Sequence, residues 1–217
     1  MATDVTKGSE QDASLLVVWQ QGDQSAGERL FDRHADAVAR FFENKVRRGA
    51  EDLTQATFLR VLEGRDRIRE GGSFRAFMLG VARNVLREHI RELVRGERID
   101  PEVDSMADLD PGPSSVMGER QEHQLMLEGL RHICIEDQML LELFYWEGLR
   151  THEVAEVLGI SSSAARRRLA KARARLDAMM AQIAASPELL NRTLRDLESW
   201  VAEVRKQLGA RPGEPAR

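Results

Sequence analysis

Leu143–Leu176 reads LFYWEGLRTHEVAEVLGISSSAARRRLAKARARL. Two short helical patterns meet at Gly159. The first, Thr151–Leu158, sets Val154, Ala155 and Leu158 at three- and four-residue spacing. The second opens at Ser161-Ser162-Ser163 and carries Arg166, Arg167, Arg168, Lys171, Arg173 and Arg175, with no acidic residue between Ser161 and Leu176. A helix, a tight glycine turn and a basic helix make a helix-turn-helix, whose second helix is shaped to enter a DNA groove.

Outward from this motif the periodicity stays helical. Upstream, Leu125, Leu130 and Ile133 mark one helix, and Asp137–Trp146 marks another with Leu140, Leu141, Phe144 and Tyr145. Downstream, the basic helix is predicted to run to about Ala185. Ser186-Pro187-Glu188 then starts a new helix, with serine as cap and proline in the first turn. Its Leu190, Leu194, Leu197, Val201, Val204 and Leu208 form a heptad seam flanked by Trp200, and Gly209 ends it. This helix is predicted either to pack on the helix-turn-helix domain or to regulate it. The tail RPGEPAR is expected to be disordered.

Ile99–Gly118 changes character. It holds Asp100, Glu102, Asp104, Asp108 and Asp110, three prolines (Pro101, Pro111, Pro113) and no Lys or Arg. That composition predicts an extended, mobile linker between two helical domains.

Before the linker, residues 1–11 read as a disordered lead, with Asp12 or Ser14 capping a short helix through LLVVWQQ. Gly22-Asp23 marks a turn. A helix from about Ser25 to Val46 stripes Leu30, Phe31, Val38, Phe41, Phe42 and Val46, with His34 inside the stripe as a core or boundary histidine. After a break at Arg47-Arg48-Gly49, Glu51-Asp52 opens a helix whose dipole favours acids at its start. Leu53, Ala56, Leu59 or Val61, and Leu62 are expected to face inward, and Asp52, Gln55 and Thr57 outward. Gly64 stops it, and RDRIREGGS is a polar loop. Ser73 caps the next helix, where Phe74, Phe77, Met78, Val81, Ala82, Val85, Leu86, His89, Ile90 and Leu93 are apolar or boundary positions. Arg83, Arg87, Arg91 and Arg95 stack along its other side. Glu88 and Glu92 could neutralise that row as a solvated face, or the row could meet nucleic acid.

The 217 residues suffice for one large or two small domains, and the composition (42% hydrophobic, 31% charged, few prolines) suits an all-helical chain. The net charge of −4 means that any DNA contact comes from local basic surfaces, not from bulk charge. A single cysteine, Cys134, excludes an internal disulfide and a cysteine-rich zinc site. The leading MATDVTKGSEQDAS lacks the apolar stretch of an export signal, and no run is long enough to span a membrane, so a cytoplasmic setting is expected.

Catalytic and metal-binding patterns are missing. His152-Glu153 begins like a zinc-protease helix, but Glu156 stands where the second histidine belongs. The histidines are scattered, no glycine loop cradles phosphate, and Asn191-Arg192-Thr193 is a chance glycosylation match. The chain is read as a non-enzyme without cofactor or metal.

Two separated stretches together resemble one family. DLTQATFLRVLEG with SFRAFMLGVARNVLREHIR resembles the second conserved region of bacterial sigma factors. EDQMLLELFYWEGLRTHEVAEVLGIS followed by RRRLAKARARL resembles their fourth region. The order, the acidic linker and the short length resemble the extracytoplasmic-function (ECF) group of the sigma-70 family.

The resemblance implies an all-α protein of two small domains, at 12–97 and 119–185, with a linker at 98–118 and a C-terminal helix and tail at 186–217. It implies binding to core RNA polymerase, through the clamp of the largest subunit and the flap, and to promoter DNA. An anti-sigma protein is a further candidate partner. Asp52, Leu53, Gln55, Ala56 and Phe58 match the polymerase-docking segment; Ala56 stands where the family often has an acid. The Arg65–Ser73 loop with Phe74 and Arg75 matches the elements that open the −10 element, and Arg83, Asn84 and Arg87 match the promoter-facing part of the following helix. Phe77 stands where a tryptophan is common. Ser162, Ser163, Arg166, Arg167, Arg168 and Lys171 match the helix that reads the −35 element, with Ala164 and Ala165 where threonine and valine are frequent. Arg173 and Arg175 are expected only to position the backbone or cover neighbouring helices. The alternative is a stand-alone helix-turn-helix regulator, and a third reading is a protein-interaction module of similar shape.

Overall fold

The computed structural model describes residues 2–43, 45–46, 48–68, 73–93, 104–106 and 121–195. Helices dominate, as the periodicity predicts: α1 (Ala2–Gln20), α2 (Gln24–Glu43), α3 (Ala50–Glu63), α4 (Phe74–Leu93), α5 (Gln121–His132), α6 (Ile135–Leu141), α7 (Thr151–Leu158) and α8 (Ser162–Ile183). A 3-10 turn, Arg65–Arg67, follows α3, and a π turn, Glu142–Trp146, extends α6. Among the described residues the last helix occupies 187–195. The chain divides into two packing units, Met1–Ile99 with His152–Ser161, and Asp100–Thr151 with Ser162–Arg217.

In the first unit α1 and α2 pair, α2 and α3 pack on α4, and one aromatic cluster joins all four. Phe74 of α4 meets Trp19 of α1 and Phe31 of α2, each at 6.1 Å between ring centres, and Phe31 meets Phe58 of α3 at 5.2 Å. Edge-on pairs of this kind add to the burial of large rings. Trp19 lies so close to α2 that a Cβ on Gly27 would fall 2.4 Å from the indole nitrogen. The indole, held by its aromatic neighbours, has little room to yield. Gln20 ties α1 to the loop after α3, donating from Nε2 to the carbonyls of Arg65 (3.2 Å) and Ile68 (3.1 Å).

Two expectations for this region are corrected. The lead expected to be disordered is part of α1, which begins at Ala2. Asp12 is therefore not a cap but a mid-helix residue, and it is buried. His34 donates to its carboxylate at 2.7 Å and Arg33 at 2.8 Å, so the pair pins α1 to α2 and makes His34 the core histidine expected. The residue that does cap α2 is Asp23, whose Oδ1 accepts from the Ser25 amide at 2.9 Å.

Burial pushes the Asp12 carboxyl up, but the hydrogen bond and charge of His34, with Arg33, outweigh it and leave the carboxyl below its ordinary value. A lowered folded pKa stabilises the protein above the unfolded pKa, and that contribution drains away as pH falls through the lowered value. Asp12→Asn should therefore lower Tm at neutral pH and flatten the acid limb of the stability curve. An unchanged acid limb in thermal melts at stepped pH would show that the pair does not matter to folding.

The second unit is built on α8, against which α5 and α6 pack. Ala165, Ala172, Leu176 and Met180 form its buried stripe. Gly129 of α5 faces this stripe; a Cβ there would lie 2.8 Å from Met180. The helix expected over Asp137–Trp146 instead starts at Ile135 and closes as the π turn. Ser186 caps the last helix as expected, its Oγ accepting from the Leu189 amide at 3.2 Å. That helix buries Leu189 and Thr193, and Arg192 pairs with Glu122 of α5 at 3.3 Å. Leu190 and Leu194 of the expected seam are only half-buried, so packing uses an adjacent face. Leu197, Trp200, Val201, Val204, Leu208, Gly209 and the tail lie outside the described residues, as does Arg95.

Of the acidic linker, 104–106 are described. Ser105 forms an isolated antiparallel bridge with Cys134, the carbonyl of Asp104 accepts from the Ile135 amide at 3.0 Å, and Met106 is buried.

Candidate nucleic-acid and partner interfaces

α3 separates two kinds of side chain. Leu53, Thr57 and Val61 are buried, and the Thr57 hydroxyl donates back to the Leu53 carbonyl at 2.8 Å. This corrects the outward placement of Thr57: returning the hydroxyl proton to its own helix lets the side chain enter the core. Asp52 and Gln55 are exposed as expected; Leu62 (49% exposed) joins them, contrary to its expected inward placement, and of the alternatives Leu59 and Val61 it is Leu59 (58%) that faces out. Val61 takes the inward role. Positions 52, 55, 59 and 62 share one side at helical spacing, so α3 presents a face with acidic, amide and apolar groups in sequence. Ala56 borders that face half-buried, while Leu53 and Phe58 hold the helix from beneath. The sequence signal for the two leucines was the three- and four-residue continuation from Asp52 and Gln55.

On α4, Phe74 is in the core at 1% exposure, so it supports this helix from below instead of lying on its surface. Ser73 caps the helix, its Oγ accepting from the Ala76 amide at 3.2 Å. Arg75, Arg83 and Arg87 are half-buried, and Asn84 and Arg91 are exposed. Steps of four residues set Arg83, Arg87 and Arg91 along one side, with Arg75 two turns earlier on the adjoining face. Glu88, a candidate to neutralise the row, is engaged by Arg60 of α3 at 2.6 Å, which holds its carboxyl below the usual range. An exposed pair of this kind contributes little stability, but it withdraws one carboxylate toward α3.

α7 and α8 cover the two stretches read as the helices of the motif, on either side of Gly159. Val154, Ala155 and Leu158 of α7 are buried, together with Val157. Gly159 takes φ +67°, a left-handed turn that a side chain would strain. On α8, Ser162, Ser163, Arg166, Arg167 and Lys171 are exposed, and Arg168 is half-buried. Ala165 is fully buried, so a small residue sits under the helix where the family often has valine.

Arg173 and Arg175 are used inside the unit. Arg173 donates to the Tyr145 hydroxyl at 2.8 Å, stands 5.6 Å over that ring, and pairs with Asp177 at 3.4 Å. Arg175 donates to the buried carboxylate of Asp137. Cys134, half-buried beside Asp137, has its thiol pushed up by burial, away from thiolate chemistry. Among the described residues no His, Cys, Asp and Glu group could hold a metal ion, and no helix is long and apolar enough to cross a membrane.

Two family models match this chain: Sigma-70 region 2 over residues 30–96 and Sigma-70, region 4 over residues 125–176. The RNA polymerase sigma factor CarQ of Myxococcus xanthus is 32% identical over 152 residues, 69% of this chain and 86% of its own length. The probable RNA polymerase sigma factor RfaY of Xanthomonas campestris pv. campestris is 32% identical over 129 residues, 58% of this chain but about a third (32%) of that protein. The ECF RNA polymerase sigma factor BldN of Streptomyces coelicolor is 29% identical over 154 residues, covering 67% of this chain and 56% of BldN. The fold is similar to that of CnrH, solved in complex with the cytosolic domain of CnrY, with a TM-score of 0.57, 24% identity, and coverage of 80% of this chain and 99% of that one. With both sigma regions present in order and CarQ matched over most of its length, the chain belongs to the sigma-70 family of RNA polymerase sigma factors, in the extracytoplasmic-function group.

Proposed function

We propose that this protein binds core RNA polymerase in the cytoplasm, directs it to promoters and helps open the start site, without covalent chemistry of its own. The observation that carries the reading is the exposed α3 face, Asp52, Gln55, Leu59 and Leu62, in a chain that also carries a basic α8. A stand-alone DNA-binding regulator has no need of that face. In this reading 12–97 grips polymerase and the −10 element, 119–185 grips the −35 element, and 98–118 links them. The clamp of the largest subunit meets the α3 face, with Ala56 at its border and Leu53 and Phe58 bracing it, and the flap meets the 119–185 module. Arg75, Arg83, Asn84 and Arg87 face promoter DNA, with Phe74 as their internal support. Melting a duplex requires capture of unstacked bases, and each captured base returns roughly 1–3 kcal/mol. Solved relatives bound to other proteins make an anti-sigma protein a reasonable further partner.

Arg166, Arg167 and Lys171 are assigned to base edges and phosphates of the upstream element, with Ser162, Ser163 and Arg168 beside them. Arg166→Ala should weaken recognition of that element by about 1–3 kcal/mol and leave core binding intact. If Arg166 touches only phosphate, all sequences should instead weaken alike and the salt slope should fall by about one. The test of the whole reading is capture by core polymerase followed by transcription from a promoter library. Failure to bind core would overturn it.

A further inference from the structure

α8 is gripped at two points by one neighbour. Asp137 stands in the first turn of α6, and Tyr145 in the π turn that extends it. Eight residues of helix separate them by roughly 12 Å along the axis. The arginines that reach them, Arg173 and Arg175, are only two residues apart, so they leave α8 about 200° apart around its axis. Side chains so disposed reach to either flank of a crossing helix. Ala172, fully buried between them, has only a methyl group to fill the space there. The Asp137 side chain is 4% exposed, so its carboxylate is committed to the contact. The Arg175 side chain that reaches it is 58% exposed, yet a charge-assisted bond to a buried carboxylate is short and directional. Leu176 and Met180 continue the apolar seam below this pair of bonds.

We propose that Asp137 and Tyr145 are positioning residues for promoter reading. By holding Arg175 and Arg173 they fix the rotation of α8 about its axis, so that Arg166, Arg167 and Lys171 point outward together. This rests on the assignment of α8 to the upstream element. About two turns of helix separate Arg173 from Arg166, so a change of 20–30° in rotation displaces the long side chains by several ångströms at their tips, roughly a fifth to a third of the spacing between successive residues around the helix. Base-edge bonds depend on that geometry, whereas phosphate attraction mostly does not.

The test uses the complete holoenzyme and a promoter fragment selected from a random library with the unsubstituted protein, compared with the same fragment carrying a scrambled upstream element. Tyr145→Phe and Asp137→Asn should each reduce the affinity ratio of the two fragments about tenfold. Binding to the scrambled fragment, its salt dependence and capture by core polymerase should be unchanged. Tyr145→Phe removes one hydroxyl from a half-exposed ring, so it reports on positioning even if Asp137→Asn folds poorly. Arg175→Lys should restore part of the ratio lost in Arg175→Gln. The proposal is overturned if the ratio stays at its reference value in Tyr145→Phe. It is equally overturned if Asp137→Asn tightens both fragments and steepens the salt slope, because Arg175 is then a phosphate contact held back by Asp137. If the unsubstituted holoenzyme discriminates and the variants match it, only the clamp falls. If it shows no discrimination, the promoter-reading assignment falls and the clamp falls with it.

Discussion

Phe74→Ala is expected to cost the chain about 3–5 kcal/mol of folding stability, the range for removing a large ring from a packed interior. The ring is 1% exposed and is the common neighbour of Trp19, Phe31 and, at 5.6 Å, His34. Its loss opens a space bordered by α1 and α2 at the capped start of α4. The neighbours cannot easily close it, since Trp19 is packed against Gly27 and His34 is bonded to Asp12. Urea unfolding of the two proteins side by side measures the difference. Phe77→Ala, at a half-buried position of the same helix, serves as control and should cost clearly less. A loss below about 1 kcal/mol for Phe74→Ala would mean that the cluster collapses freely around the space. Promoter opening should also fail in Phe74→Ala, as a consequence of lost support for Arg75 and the arginine row and not of a lost surface contact.

Leu59→Asp should do the reverse, sparing the fold and removing the partner. Leu59 is already 58% exposed, so its replacement empties no core, and surface changes of this sort stay within about 0.5 kcal/mol. If the α3 face docks on polymerase, the new carboxylate must be desolvated among apolar groups, one turn from the existing charge of Glu63. Central interface residues cost about 2 kcal/mol or more when lost, so core binding should weaken by about 30-fold or more. Leu62→Asp should act in the same direction and Glu63→Gln, on the border, much less. Competition binding to core polymerase with an unaltered Tm is the expected pair of results. Unchanged affinity in both leucine variants would remove α3 as the docking face.

Much of this organisation is legible in the amino-acid sequence. The helix-turn-helix can be placed because its turn needs a glycine and its second helix concentrates one sign of charge. α4 reads as strongly patterned because it buries one stripe and leaves arginines on another. The misplacements have a shared cause. Asp12 looks like a cap because isolated acids favour helix starts, and only the arrival of His34 and Arg33 from another helix makes it a mid-helix residue. Thr57 looks polar until its hydroxyl is returned to its own helix. Leu62 looks like core because apolar residues usually are, yet it lies with Leu59 on the exposed side of α3. The clamp on α8 is half visible: Arg173 and Arg175 read as packing residues, but their partners Asp137 and Tyr145 lie 28 or more residues away and carry no local signal.

The bridge between Ser105 and Cys134 bears on how the second unit can be inherited as a piece. The helical pattern resumes near residue 119, and a cut there looks natural. Yet the Ile135 amide at the start of α6 finds its acceptor in Asp104, and Met106 is buried. A segment beginning at 119 leaves that amide with no chain partner and discards the apolar side chain. Modularity in this protein therefore runs about fifteen residues deeper than helix boundaries suggest. Any natural fusion, splice or exchange that carries the second unit intact must bring residues 104–106 with it.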